Sequence, residues 1–170
     1  MIVCKFGGRA TSNKSTLQNI KKIANSNQNR KVFVFSAIGK FDKSDAKLTD
    51  LLFDLAKRIS NDSDYNGTLT QIIHKLEWLN QQTKSGLKIK QYLSNCIELY
   101  KLTHDTNFLI SRGEFITCYM MSKYLNIPFV PAKKIMFFKN DQIDEEKTRS
   151  ALKHYLRKYG KFAIRKALSG

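Results

Sequence analysis

The chain has 170 residues, of which 42% are hydrophobic and 11% aromatic, a composition that suits one globular domain and excludes an intrinsically disordered protein. Thirty Lys and Arg against fourteen Asp and Glu give a formal net charge of +16, which favours an anionic partner such as nucleic acid, phosphate or a membrane surface. No stretch approaches the ~20 apolar residues that a membrane-spanning helix needs.

The basic residues are distributed along the whole chain. The densest groups are Lys21-Lys22, Lys133-Lys134 and the stretch 157–166. No basic stretch is interleaved with aromatic residues, the pattern typical of single-strand nucleic-acid binders. We therefore expect a dispersed, solvated basic surface and no membrane partner, with a basic nucleic-acid-binding protein as a disfavoured alternative.

Cysteine and histidine indicate no metal site. Cys4, Cys96 and Cys118 are odd in number, lack C-x-x-C spacing and have no histidine at a metal-ligand distance in the sequence. They are expected to be buried or neutral thiols in a reducing compartment. The first residues lack the basic start and long apolar run of a signal peptide, so a cytoplasmic location is expected.

The first third of the chain predicts a strand, a helix and a second strand. The apolar run from Ile2 to Phe6 ends at Gly7-Gly8, which indicates a buried strand that enters a tight loop. Residues 11–13 offer N-caps for a helix with one apolar face, formed by Leu17, Ile20, Ile23 and Ala24. Residues 32–35 are continuously apolar and therefore belong in the middle of a covered parallel sheet. The three elements form a βαβ unit, for which a right-handed crossover is expected.

From residue 47 the hydrophobic period becomes helical. Apolar stripes predict helices over about 48–59, 69–79, 87–102 and 113–125, the last with Met120, Met121 and Tyr124 facing inward. Short strands are predicted at 126–130 and 134–138, followed by a helix over 144–159 and a final strand at 161–164. We therefore predict an α/β fold in which helices cover both faces of a mostly parallel sheet, with a helical insertion.

Two loops in this scheme are candidate anion sites. Lys5-Phe6-Gly7-Gly8 closes the first strand, where glycines let the backbone approach a phosphate and a lysine supplies charge; a plain tight turn would also explain it. The 36–40 stretch, S-A-I-G-K, closes the second strand, and Thr49-Asp50-Leu51-Leu52 follows it. Thr49 could instead bond within its own helix. Open α/β sheets bind ligands beyond the carboxyl ends of their strands, so the two loops are expected to lie close together.

A third motif, Ser111-Arg112-Gly113-Glu114, precedes an amphipathic stretch. Ser111 as N-cap with Glu114 three residues later has the spacing of a capping box. A local helix start would therefore account for the motif without any ligand.

The three motifs together resemble the aspartate kinases of the amino acid kinase superfamily. That family shows the same order: K-F-G-G near the start, S-A-x-G-K with T-D-L-L after it, and S-R-G-E before a helix. The stretch 40–47 is similar to the version found in clostridial and related low-GC bacteria. The resemblance extends over about residues 1–164 and implies an amino-acid-kinase-like α/β/α fold.

The resemblance implies roles for individual residues. Aspartate kinases transfer the γ-phosphoryl group of Mg-ATP to the side-chain carboxylate of L-aspartate, opening the route to lysine, threonine and methionine. On matching positions, Lys5 would contact the ATP phosphates, and Gly7 and Gly8 would let their backbone approach. Ser36 and Thr49 would hold aspartate, and Glu114 would pair with its ammonium group.

Two departures from the family pattern bear on activity. Where the family has two hydroxyl residues after K-F-G-G, this chain has Arg9 and Ala10, and Thr11-Ser12 follow two residues late. The final predicted strand is not followed by the family's Gly-Phe-x-Gly loop or by its second, nucleotide-binding half and ACT domains. Residues 1–170 are thus expected to form an amino-terminal, aspartate-binding part that is active only if a complementing carboxyl-terminal half exists. The expected partners are that half or a second copy in a homo-oligomer. A non-catalytic aspartate-binding or regulatory module is the alternative.

Overall fold

A computed structural model describes residues 1–165 of the chain. The elements follow one another in the order β1 Ile2–Phe6, α1 Lys14–Asn25, β2 Arg30–Phe35, α2 Leu48–Ser60, α3 Asn66–Thr83, α4 Ile89–Thr103, α5 Thr106–Leu125, β3 Phe138–Lys139, β4 Gln142–Ile143, α6 Glu145–Tyr159 and β5 Phe162–Arg165. Two 3-10 turns, Gly8–Thr11 and Ala132–Lys134, complete the described part.

The main sheet is parallel and places β2 in its centre. The strand order is β1-β2-β5. Phe6 pairs with Phe35, and Phe35 pairs with Arg165, so the carboxyl ends of all three strands meet at one edge. The central position of β2 follows from its composition, because apolar side chains on both faces need cover on both faces. The predicted βαβ unit and parallel sheet are confirmed.

Two apolar clusters lie on opposite faces of this sheet. The larger contains Phe33, Phe35 and Ala163 together with the buried faces of α1 to α5. The smaller contains Val32, Phe162 and Ile164, against which α6 packs. Alternate residues of β2 and β5 therefore point to different layers, as the period of a strand requires. The predicted layered α/β/α fold with a helical insertion is confirmed.

Two predicted strands are corrected by the structure. In the stretch 126–130, Phe129 forms an isolated parallel bridge with Ala163. Pro128 and Pro131 lack the N–H groups that a longer ladder would need. The stretch 134–138 is not a strand of the main sheet: Lys134 ends the 3-10 turn Ala132–Lys134, and Phe138 begins the β3–β4 hairpin. The hairpin turns at Asn140 and Asp141, with positive φ at both residues. That geometry is the two-residue hairpin turn that Asn and Asp tolerate.

The three cysteines form no disulfide within residues 1–165, and two of them are buried. Cys4 is partly exposed, whereas Cys96 and Cys118 are buried. Burial raises the pKa of the Cys96 thiol and of the Cys118 thiol, so both are protonated at neutral pH, as predicted. None of the helices within residues 1–165 has the length and hydrophobicity of a membrane span.

Candidate functional site

The site lies where the loops after β1 and β2 meet. Ser36 donates its backbone N–H to Phe6 O at 3.1 Å, which continues the ladder one residue beyond the strands. The N–H of Gly39 then donates to Gly8 O at 3.0 Å, so the two loops bond directly to each other. The proximity that parallel pairing predicts for these loops is present.

Gly8 and Gly39 are required by this contact between loops. A Cβ atom on Gly8 would lie 2.7 Å from Ala37 O, and one on Gly39 would lie 2.6 Å from the carbonyl carbon of Gly8. Both distances are shorter than real Cβ contacts, and the opposing atoms belong to the backbone and cannot rotate away. A Cβ on Gly7 would meet nothing within 4 Å. The second and not the first glycine of the pair therefore has a packing role.

A cavity of about 850 Å³ opens between the loops. Its charged lining residues are mostly cationic: Arg9, Lys40, Lys43 and Lys47, against Asp42 and Glu114. Ser12, Ser36 and Thr49 contribute hydroxyl groups. A volume of this size suits a small polar ligand, and the lining combines a cationic rim with one buried carboxylate.

Helix α5 carries that carboxylate. Gly113 lets α5 approach α2 closely, because a Cβ there would lie 2.8 Å from the side chain of Leu52. One turn later the hydroxyl of Thr117 accepts a hydrogen bond from Ile38 N at 3.3 Å, which ties α5 to the β2 loop. Glu114, between these two contacts, is only 4% exposed and still lines the cavity.

The capping-box interpretation of Ser111 and Glu114 is wrong. Helix α5 begins at Thr106, and the carboxylate of Asp105 caps it by accepting from Phe108 N at 2.8 Å. Ser111 lies inside the helix, where its hydroxyl donates to Phe108 O at 2.7 Å. A local helix start therefore does not account for Glu114, a carboxylate buried in the body of a helix.

A cation approaches Glu114 from β5. Arg165 Nη1 lies 3.8 Å from Glu114 Oε2, and the Arg165 side chain is 22% exposed. Burial lowers the pKa of the Arg165 guanidinium, although Glu114 opposes the change. Burial of a carboxylate is costly unless a positive charge accompanies it, and Arg165 supplies one. This pair could not be predicted from the sequence, because it joins α5 to a strand about 50 residues later in the chain.

Helix α3 contacts the loop that follows β2, residues 36–47, through Lys75. Lys75 donates to Gly39 O at 3.0 Å and forms an ion pair with Asp45. Asp45 also accepts from Phe41 N at 2.6 Å. Burial raises the pKa of the Asp45 carboxyl, but the hydrogen bonds from Lys75 and Phe41 outweigh it, so the net pKa lies below its ordinary value of 3.8.

The Asp45 contacts predict a specific acid sensitivity. A carboxyl with a depressed pKa contributes stability above its unfolded-state pKa and loses it as the pH falls through the folded-state value. The wild-type chain should therefore be more stable than Asp45→Asn at neutral pH, and the difference should shrink from about pH 5 to about pH 2. Thermal unfolding midpoints of both proteins across that range test it. A difference that stays constant with pH would contradict the assignment.

The fold is similar to solved aspartate kinase structures over nearly the whole chain. The Clostridium acetobutylicum aspartate kinase, described as an allosteric enzyme, matches with a TM-score of 0.85 and 27% identity over 96% of this chain and 38% of that one. The resemblance to the aspartate kinases is confirmed. No protein-family profile matches the chain, and no curated protein gives a significant sequence match.

Two structures of E. coli aspartokinase III show the same aspartate kinase fold. One, in complex with lysine and aspartate in the T-state, has a TM-score of 0.73 and 19% identity over 97% of this chain. The other, in complex with aspartate and ADP in the R-state, has a TM-score of 0.64 and 17% identity. The chain spans 38–40% of the length of these aspartate kinases and corresponds to their amino-terminal part.

The structure brings together most of the residues that the aspartate kinase resemblance singles out. Gly8, Ser36, Thr49 and Glu114 line one cavity. Lys5 and Gly7 are exposed and are not among its lining residues. The ligand-binding roles of all six residues stay predictions.

The loop that departs from the aspartate kinase pattern is also placed by the structure. Arg9 and Ser12 line the cavity, whereas Thr11 is fully buried and donates its hydroxyl hydrogen bond to Gly8 O at 3.0 Å. Of the two hydroxyl residues that lie two positions later than in the aspartate kinase pattern, Ser12 lines the cavity and Thr11 does not.

Proposed function

We propose that this chain forms the aspartate-binding part of an aspartate kinase. The observation that carries the proposal is the convergence on one cavity of Ser36 from the loop after β2, Thr49 from α2 and Glu114 from α5. Glu114 would bind the ammonium group of L-aspartate, and the hydroxyls of Ser36 and Thr49 would donate to its carboxylates. A zwitterion with two carboxylates fits a cavity with one buried acid and a cationic rim.

The reaction would be phosphoryl transfer to the side-chain carboxylate of aspartate. A carboxyl group with an ordinary pKa of about 3.9 is already ionised at neutral pH, so the nucleophile needs no general base. The contribution of the protein is then to hold the carboxylate in line and to neutralise charge around the transferred group. Arg9, Lys40, Lys43 and Lys47 supply positive charge at the cavity for this purpose.

The residues present are compatible with nucleotide phosphates. The backbone of Gly8 faces the cavity beside Arg9, and Lys40 follows Gly39 on the opposing loop. Mg-ATP, when bound, would supply the phosphoryl group together with a cation that shields its charge. Since the chain spans about two fifths of the matched kinases, turnover is expected to need the complementing half that those enzymes possess.

Calorimetric titration of the purified chain with L-aspartate tests the proposal. L-aspartate is expected to bind, and succinate, which keeps both carboxylates but lacks the ammonium group, is expected to bind at least tenfold more weakly because Glu114 would then face no ligand cation. Titration with Mg-ATP and a coupled phosphoryl-transfer assay accompany it. Binding without turnover would support an aspartate-binding part or module, and absence of binding by L-aspartate would contradict the proposal.

A further inference from the structure

Lys75 is a buried cation outside the cavity. It lies on α3 with only 2% of its surface exposed. It shares the buried face of this helix with Ile72, Leu76 and Leu79, which are all apolar. A lysine is almost never so buried unless its charge is matched, since desolvation of an unpaired ammonium group is costly. Its presence on this stripe therefore indicates a specific partner.

Within residues 1–165, the Lys75 ammonium group contacts one loop, residues 36–47 between β2 and α2. The group donates to Gly39 O at 3.0 Å, forms an ion pair with Asp45, and lies 4.3 Å from the centroid of the Phe41 ring. Gly39 and Phe41 also line the cavity, but Lys75 does not. Lys75 thus supports the cavity wall from its outer side.

Other contacts of this loop lie at its β2 end and on α3: Gly39 N–H donates to Gly8 O at 3.0 Å, and the Phe41 ring packs against Trp78 of α3. The loop is tied at Ile38, whose N–H donates to Thr117 and whose carbonyl accepts from Leu48 N at 3.2 Å. Between that tie and α2, Lys40, Phe41, Asp42 and Lys43 all line the cavity. Within this segment, Phe41 N donates to the carboxylate of Asp45, four residues later in the chain. Asp45 also forms the ion pair with Lys75.

We propose that Lys75 is a positioning residue that holds the 36–47 loop in its ligand-competent form. The identity of the ligand, L-aspartate, rests on the proposed function. The lysine acts through the loop: it fixes the carbonyl of Gly39 and the carboxylate of Asp45, so the cavity wall is ordered before the ligand arrives. Ordering a loop in advance raises affinity because binding no longer has to supply that order.

The test uses Lys75→Met, which keeps the length and apolar stem of the side chain but removes its charge. Trp78, the single tryptophan of the chain, reports on the loop because its ring lies 5.0 Å from that of Phe41. We expect acrylamide to quench Trp78 more strongly in Lys75→Met than in the wild type, and L-aspartate to bind about tenfold more weakly. Arg58→Met is the matched control, because Arg58 pairs with Asp54 on the exposed side of α2 and has the same change of charge.

The two readouts separate this proposal from the proposed function. If the wild type binds no aspartate, the proposed function fails, and quenching of Trp78 still decides whether Lys75 holds the loop. Unchanged quenching and unchanged affinity in a folded Lys75→Met would overturn the proposal. If Lys75→Met does not fold, Asp45→Asn removes the partner charge instead, and its Trp78 quenching must rise for the proposal to stand.

Discussion

Replacement of Glu114 by glutamine is expected to weaken L-aspartate binding by about 10-fold to 100-fold. The substitution keeps the size of the side chain and removes its negative charge, so the ligand ammonium group would donate to a neutral amide oxygen and lose its ion pair with a carboxylate. Hydrogen bonds to charged groups contribute about 1.5–3 kcal/mol, and each 1.4 kcal/mol corresponds to about tenfold in affinity. Calorimetric titration with L-aspartate measures the change.

Succinate and a second variant serve as controls for Glu114→Gln. Succinate has no ammonium group, so its affinity should change less than that of aspartate. Glu146→Gln makes the same substitution on the exposed first turn of α6, away from the cavity, and should leave both affinities as they are. Equal losses for succinate and aspartate would show that Glu114 shapes the cavity without recognising the ammonium group.

Replacement of Gly39 by alanine is expected to destabilise the domain by about 1–3 kcal/mol, the usual cost of overpacking. The new methyl group would meet the carbonyl carbon of Gly8 at 2.6 Å, its oxygen at 2.8 Å and Arg9 N at 2.9 Å. Since every one of these atoms is backbone, the two loops must separate. The separation also removes the hydrogen bond from Gly39 N to Gly8 O, so aspartate affinity should fall with stability.

Thermal or urea unfolding of Gly39→Ala measures this effect, with Gly7→Ala as its matched control. Gly7 has φ −76°, which any residue adopts, and a Cβ there would meet nothing within 4 Å. Gly7→Ala should therefore change the free energy of unfolding by less than about 0.5 kcal/mol. For a domain of this size, about 1 kcal/mol corresponds to a shift of about 2–4 °C in Tm. Identical midpoints for the two variants would contradict the close contact of the loops.

The strands and long helices could be predicted because their signals are local. The apolar run of β2 needs cover on both faces wherever it is placed, and the stripe from Leu48 to Ile59 predicts α2 to within a residue of its observed bounds. The predicted start of α5 at residue 113 is wrong, because the helix begins at Thr106. Ser111 and Glu114 satisfy a local capping pattern, but Asp105 provides an earlier cap, and burial of one helix face extends α5 back to Thr106.

The site residues also divide into those with a local sequence signal and those without one. Gly8, Ser36, Thr49 and Glu114 could be singled out because each belongs to a short motif in the order seen in aspartate kinases. Thr117 and Arg165 could not, because their partners are distant in the chain. Lys75 did leave a signal, a charged residue on an otherwise apolar helical stripe, which indicates a buried ion pair but does not name its partner.

The α/β alternation, the parallel sheet and the motifs at the ends of the first two strands can be predicted from the amino-acid sequence alone. Those features depend on hydrophobic period and on residue types a few positions apart. Three further features appear only in the folded chain: the motifs share one cavity, Gly8 and not Gly7 is needed for packing, and Lys75 contacts the loop of Gly39 and Asp45. The reason is physical: these contacts join residues about 30 or more positions apart, and a pairing over that separation is selected by the packing of whole elements and leaves no periodic trace in the chain.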